Sequence, residues 1–416
     1  MNKILLTILF VLIYFCDASD VCYQKGGNCL DDNKRYLFYE VNRPEGFNLR
    51  RDVYLRFAML ARKMKESNDE KLNNIQLVLP PWSNLVHWKY TDKPEHIPWG
   101  YYFDVDSLKK FAPVVEMYEF FANYPNKYSK VEIEEVYTLQ HFEDMFETGN
   151  FQDKMQLDNC NKDYHYSYFS YKNVTSKNTR CLSYHGPATK LSEIFSNSSA
   201  KTILIDHAEV ALHDYFGSPL YWQARRSMRF NKDLKSIADE FRRKFLHSSD
   251  DKDGTRLPDD WTDETAKRSA VGGPYVGIHL RRKDFVRNRA EEVPTLMSVS
   301  EQVKTVLLQL NLNTVFVATD GTNEEYKTLV NLLDGFEVLR YTPDSNTKEK
   351  YGDGGVAIID QIICSYARYF IGTYESTFTF RIQEEREIIG FKTETTFNVF
   401  CGRKDCPKPS VWEIVY

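Results

Sequence analysis

The chain has 416 residues, enough for roughly two or three domains. Hydrophobic residues at 42% and charged residues at 27% are those of a globular protein that buries a core. A net charge of -5 argues against a nucleic-acid partner, and the basic stretches are local, which suits a small anionic ligand.

The chain opens on Lys3 and an apolar run over residues 4–16 that ends near small residues. The run is too short for a comfortable membrane span and reads as a signal peptide, residues 1–19, cut near Ala18 or Ser19. The chain ends without a retrieval signal of the Lys-Asp-Glu-Leu type. The cysteines agree with an oxidising compartment. Cys22 and Cys29, Cys160 and Cys181, and Cys401 and Cys406 are near neighbours, and three local disulfide loops are the simplest pairing. Cys364, inside an apolar run, reads as a buried free thiol. Asn173 and Asn197 head glycosylation sequons, which secretion makes meaningful.

In chain order, residues 35–41 read as a strand and Asn48 as the N-cap of a helix with Leu49, Val53, Phe57 and Leu60 on one face. Residues 75–79 are a second strand, stopped by Pro80-Pro-Trp82, which makes a βαβ start. Residues 114–118, 131–139 and 202–206 are further strands, and 150–190 read as polar, aromatic and irregular. A helical segment spans 221–246, followed by an acidic loop at 248–258. A second αβ series follows: strands at 275–280, 315–320, 337–341 and 369–373, and helices at 299–310, 326–333, 357–364 and 376–386. The expected fold class is α/β, with two Rossmann-like domains facing a cleft. The expected division is 20–215, 216–395 and a C-terminal segment 396–416 that packs back on the first domain.

The residues suited to chemistry collect after strands. In Tyr275-Val-Gly-Ile-His-Leu-Arg-Arg-Lys-Asp-Phe285 an apolar strand ends in three cations. Ligands of such sheets sit outside the carboxyl ends of the strands, and an Arg fork matches phosphate oxygens in pairs. Arg43-Pro-Glu-Gly-Phe-Asn-Leu-Arg-Arg-Asp52 is built the same way, and Glu45 within it is a carboxylate suited to general-base work. Asp360 lies in an apolar stretch and needs donors. Thr377 and Phe378 open a helix whose first amides favour phosphate. Glycine-rich phosphate fingerprints and zinc spacings are absent, and Asp251-Lys-Asp253 fails as a calcium loop. That triplet and Asp104-Val-Asp106 read as surface acids.

These two motifs, together with Val78-Leu-Pro-Pro-Trp82, Asp353-Gly-Gly-Val-Ala-Ile-Ile-Asp360 and Ser376-Thr-Phe-Thr-Phe-Arg381, resemble the GDP-fucose protein O-fucosyltransferases. The resemblance runs from about residue 35 to 416 and is nearest the branch that modifies thrombospondin type 1 repeats. It implies a GT-B fold, GDP-fucose as donor, no metal, no separate cofactor, and inverting transfer to Ser or Thr in the lumen of the endoplasmic reticulum. It implies Glu45 as the base, within a donor pocket of Pro44, Glu45, Gly46, Phe47 and Asn48. Arg281 then holds the diphosphate beside His279 and Leu280, Asp360 reads guanine, and Thr377 and Phe378 contact phosphate and base.

The expected partners are GDP-fucose and folded thrombospondin type 1 repeat proteins, with no nucleic acid and no stable membrane insertion after signal cleavage. EGF-like repeats or a glycan as acceptor, or an inactive lumenal chaperone, are the competing readings. The acceptor is expected on the surface between residues 81 and 171, with Trp82, Trp88 and Trp99 as anchors.

Overall fold

The structure is a computed structural model that describes residues 34–43, 45–83, 85, 96–123, 130–143, 145–149, 151–160, 167–288, 292–402 and 410–416. The expected signal peptide, Cys22, Cys29, Pro44, Trp88 and Cys406 lie outside the described residues.

The first sheet holds β1 (Arg35–Tyr39), β2 (Ile75–Leu79), β3 (Val114–Glu116), β4 (Val131–Gln140), β5 (Lys154–Asp158), β6 (Val174–His185) and β7 (Thr202–Asp206). Their order is β3-β2-β1-β7-β4-β6-β5. All neighbours run parallel except β5, which is antiparallel to β6. Leu37 and Phe38 are both buried although they point to opposite faces, as in a strand covered on both sides. Helix α1 (Phe47–Lys65) covers one face. Val53, Phe57, Leu60 and Met64 recur at helical spacing and are all buried, and Arg62, Lys63 and Lys65 suit the negative end of the helix.

Helices α2 (Pro219–Ser227) and α3 (Lys232–Phe245) lead to the second sheet. It holds β8 (Gly273–Leu280), β9 (Thr314–Thr319), β10 (Glu337–Leu339) and β11 (Ala367–Ile371), all parallel, in the order β10-β9-β8-β11. Val276, Ile278 and Leu280 join one core cluster, and Tyr275, Phe316 and Phe370 join the other. The period-two alternation thus fills both faces. Helices α4 (Ser345–Ser365) and α5 (Thr377–Ile389) flank β11 in the chain.

The two halves share one apolar cluster that contains Phe57, Tyr221 and Ile382. A polar seam crosses it. Asp52 of α1 is 3.3 Å from Arg381 Nη2 of α5 and 3.1 Å from His213 Nε2, and it also takes Arg56. Arg225 of α2 pairs with Glu384 at 2.7 Å and Glu385 at 2.9 Å. Arg51 Nη1 donates to Gln361 Oε1 of α4 at 2.9 Å.

Several expectations change. The cap of α1 is Gly46, and Asn48 instead accepts from Arg51 at 3.2 Å and Gln361 at 3.0 Å. The stretch 150–190, expected to be irregular, contains β5 and β6. Its polar residues conceal a strand because Lys177 and Asn178 face water while Cys181 to Tyr184 are buried. The long helix expected at 221–246 is two, broken where Phe230 bridges Phe103 and Asn231 caps α3. The strand at 114–118 stops at Glu116, where a short helix begins. Asp253 is buried against Ser248 and Arg242 instead of lying on the surface. In the C-terminal segment, Trp412 packs on Phe216, Phe380 and Phe397, and the Glu413 carbonyl accepts from Trp222.

Cys401 is disulfide-bonded. Cys160 and Cys181 are not joined in the expected disulfide, although they are neighbours: β5 pairs Asp158 with Cys181, and the Cys160 sulfur contacts Cys181. Cys364 is a buried free thiol, as expected.

The seam generates a stability prediction. Burial alone would raise the Asp52 pKa, but His213, Arg381 and Arg56 outweigh it and hold the carboxyl well below the usual range. A depressed folded pKa stabilises above the unfolded value of about 3.9 and loses that contribution as pH falls. Asp52→Asn should cost roughly 3 kcal/mol near neutral pH. It should also flatten the acid dependence below about pH 4. Urea unfolding at neutral and acid pH reads both; an unchanged midpoint would remove Asp52 from the seam.

Candidate active site

The carboxyl ends of β8 and β9 and the start of α1 meet at a cleft of about 850 Å3. One wall carries Glu45, Gly46, Phe47 and Asn48. The other carries His279, Arg281, Asp284, Asp320, Asp360, Thr377 and Phe378. Two motifs far apart in the chain therefore face each other.

Glu45 is half-buried in the turn before α1. Its amide donates to the Asn42 carbonyl at 3.0 Å, and its own carbonyl accepts from Arg50 Nε at 3.0 Å. Burial, and secondly the Glu209 carboxylate, push its pKa up, with Arg50 opposing. A carboxylate whose proton affinity rises toward neutrality is a better proton acceptor.

Arg281 follows the last residue of β8. Its amide donates to Thr373 Oγ1 at 2.8 Å, and that hydroxyl donates to the His279 carbonyl at 2.9 Å. Its guanidinium pairs with Asp284 at 2.6 Å through Nη2 and with Asp320 through Nη1. Asp320 also accepts from the Arg282 amide at 2.6 Å. The two carboxylates differ in freedom, since the Asp284 side chain is 42% exposed and that of Asp320 only 20%.

His279 is buried, with Nδ1 2.9 Å from Thr379 Oγ1. Burial, and then the Arg281 charge, pull its pKa down to about 3, so the ring is neutral at physiological pH. It stacks on Phe378 with centroids 4.3 Å apart. Phe378 belongs to the first turn of α5, whose cap Ser376 makes no side-chain capping bond, so first-turn amides lack that partner. At Gly372 the chain runs so close to α5 that a Cβ would lie 2.2 Å from Thr379 Cγ2. Asp360 of α4 is half-buried, and its Oδ1 has no hydrogen-bond partner. Burial pushes its pKa well up, with Arg340 opposing.

The structure thus brings together every expected site residue that it describes, except the Leu280 side chain. That side chain lies in the core, because it follows Ile278 on the packed face of β8. Asp320, Glu209, Arg51 and Gln361 were not singled out from sequence. Asp320 had a legible signal: it follows Thr319, the last residue of β9, the strand beside β8 in the same parallel sheet. The other three are placed by contacts between distant segments. Trp82 and Trp99, expected as docking anchors, are 2% and 1% exposed and back Phe47 instead. Among the described residues no cluster of His, Cys, Asp and Glu suits a metal ion, and Asp104 caps a short helix by accepting from the Ser107 amide.

Residues 36–389 match the model of the GDP-fucose protein O-fucosyltransferases. The chain is 42% identical over 398 residues to GDP-fucose protein O-fucosyltransferase 2 of Pan troglodytes, covering 92% of this chain and 90% of that protein. It is 39% identical over 406 residues to the protein of the same name from Drosophila melanogaster, covering 92% and 82%. Its fold is similar to a crystal structure of POFUT1 in complex with GDP-fucose, with a TM-score of 0.54 at 16% identity over 90% of this chain and 99% of that one. That likeness, with two α/β halves lining one cleft, gives the GT-B fold. A family match across most of the chain and identity near 40% over nine-tenths of it lead to one conclusion: this chain belongs to the GDP-fucose protein O-fucosyltransferase family.

Proposed function

We propose that the chain is an inverting peptide-O-fucosyltransferase that moves fucose from GDP-fucose to a Ser or Thr hydroxyl of folded thrombospondin type 1 repeats. The observation that carries this reading is the pairing across one cleft of Glu45, a half-buried carboxylate of raised pKa, with Arg281 and the start of α5. In the proposed step the acceptor oxygen attacks the anomeric carbon of fucose, and the bond to the diphosphate oxygen breaks. The bonding electrons leave with GDP, and Glu45 takes the acceptor proton. One displacement with one base inverts the centre, by analogy with inverting glycosidases. Negative charge grows on the diphosphate, where the Arg281 fork and the first amides of α5 stabilise it.

Asp284, the more exposed partner, yields its place on Arg281 to the diphosphate, while Asp320 keeps the guanidinium oriented. The partnerless Oδ1 of Asp360 accepts from the ring N–H and amino group of guanine. Neutral His279 and Phe378 form the apolar floor between them.

The compartment of this reading is the lumen of the endoplasmic reticulum. Cys401 is disulfide-bonded, Cys160 and Cys181 stand close enough to be joined by an oxidising lumen, and Asn173 and Asn197 are exposed for glycosylation. No helix of the described residues is long and apolar enough to cross a membrane. We assign residues 20–215 to the acceptor side and 216–395 to the donor side.

The deciding assay offers GDP-fucose with folded thrombospondin repeats, folded EGF-like repeats and reduced, alkylated thrombospondin repeats. Transfer is expected to the first alone. Glu45→Gln should lower turnover by ~10^2–10^4 while GDP binds as before. Transfer to the EGF-like repeat alone would move the acceptor class, and a Glu45→Gln enzyme at wild-type rate would place the base elsewhere.

Asp360 must lose its proton to accept both guanine donors, so GDP affinity should fall as pH is lowered. Asp360→Asn should weaken GDP by about tenfold or more, abolish that pH dependence and leave UDP affinity unchanged. Equal losses for GDP and UDP, read by calorimetry, would make Asp360 a structural residue.

Asp320→Asn should loosen Arg281 and lower turnover by roughly tenfold, with a smaller effect on the circular dichroism melting temperature. Unchanged turnover would show that Arg281 needs no such support.

A further inference from the structure

No step above uses the surface that begins where β4 ends. Phe146 is 67% exposed and Phe151 is 55% exposed, with ring centroids 6.3 Å apart. The His141 ring lies 5.3 Å from Phe146, and the His185 ring 5.8 Å from Phe151. Lys154 Nζ sits 3.9 Å over the Phe142 ring. Aromatic side chains carry the largest apolar surfaces, and a group of them left in water marks a contact surface.

The place of this group in the sheet gives it an occupant. β1, β7, β4 and β6 are parallel neighbours in that order, so their carboxyl ends lie along one edge. Glu45 follows β1, Glu209 follows β7, His141 follows β4, and His185 ends β6. The first two members of this row are linked through Asn42: the Glu45 amide donates to the Asn42 carbonyl at 3.0 Å, and the Asn42 amide donates to Glu209 Oε2 at 3.1 Å. With strands about 4.8 Å apart, the aromatic shelf lies roughly 15 Å from Glu45 along the edge. A small folded domain spans that distance while one of its hydroxyls reaches the base. The rim is acidic on balance: Glu143, Glu147 and Asp153 are exposed, against half-buried Lys154 over Phe142 and half-buried Lys190, which donates to the Asp153 carbonyl at 3.1 Å. A second copy of this chain, with a net charge of -5, is a poor match for an acidic rim.

We propose that Phe146 and Phe151 form the docking shelf of the protein acceptor, which meets them with an apolar patch ringed by Lys or Arg. This rests on the fucosyl-transfer reading and names the acceptor contacts that it lacks. The shelf positions the acceptor domain and takes no part in chemistry, so its loss raises KM and leaves the donor site alone.

The test uses the Phe146→Ser/Phe151→Ser variant, whose exposed rings support no core, and a Glu143→Lys/Glu147→Lys variant. Each is assayed with a folded thrombospondin repeat. The first should raise acceptor KM at least tenfold, with GDP affinity, slow hydrolysis of GDP-fucose and melting temperature unchanged. The second should raise KM at low salt and lose most of the wild-type dependence on ionic strength. Unchanged KM in the aromatic variant overturns the shelf. Binding of the same repeat to immobilised protein separates the two readings. If the wild type binds the repeat without transferring fucose and the aromatic variant does not bind, the shelf stands and the transfer reading fails. If the wild type does not bind at all, the shelf fails with it. A concentration-dependent dimer in the wild type that the aromatic variant abolishes would assign the shelf to a second copy and overturn the proposal.

Discussion

The tie between Asp52 and Arg381 is the constraint on which the rest depends. Asp52 lies in α1, which starts at Phe47 just beyond Glu45, and Arg381 lies in the first turns of α5. Their contact at 3.3 Å therefore holds the start of one helix against the start of the other across the cleft. A buried charge is tolerable only when its remaining valences are met. Arg381 also pairs with Glu384 at 3.1 Å, Glu384 takes Arg225 at 2.7 Å, and Arg225 reaches Glu385 at 2.9 Å. That condition is not fully met: Nε and Nη1 of Arg381 have no hydrogen-bond partner, and Arg51 is a second case. It is fully buried, two of its nitrogens have no partner, and the rings of Phe47, Phe103 and Phe230 surround it within 6 Å. Those ring faces offer a cation part of what water would supply.

Burial acts on the cleft in opposite senses according to charge type. It pushes the Glu45 and Asp360 carboxyls up and pulls the His279 imidazole down. Arg281, with Asp284 and Asp320 paired to it, faces the same cleft. A ligand that brings both an anionic group and hydrogen-bond donors satisfies Arg281 and Asp360 together, and a nucleoside diphosphate with a guanine-like edge has both.

The aromatic content divides into two uses. Phe47, Trp82, Trp99 and Phe103 pack with centroids 4.5 to 6.0 Å apart, mostly tilted to one another, and form a wall behind the start of α1. Glu116 pins that wall by accepting from the Trp99 and Gly100 amides at 3.0 and 2.7 Å. Phe146 and Phe151, in the same half of the chain, stay in water. The rings are chemically alike, so composition alone does not separate support from contact.

The sequence by itself determined most of the local structure. Apolar periodicity placed β1, β2, β7, β8 and β9 within a residue or two, because a strand buried on both faces has to be a short apolar run. The motif residues around Glu45 and Arg281 were legible because chemistry at strand ends needs particular side chains. Only the tertiary structure decided which surfaces meet. β6 was hidden because its partner β4 supplies the burial that its own polar residues do not advertise. Leu280 left the site because alternation turns its side chain into the core. Trp82 and Trp99 became a wall, and Asp52 became a tie between halves, through contacts with residues far away in the chain. Burial and long-range pairing are properties of two segments together, and no single stretch carries them.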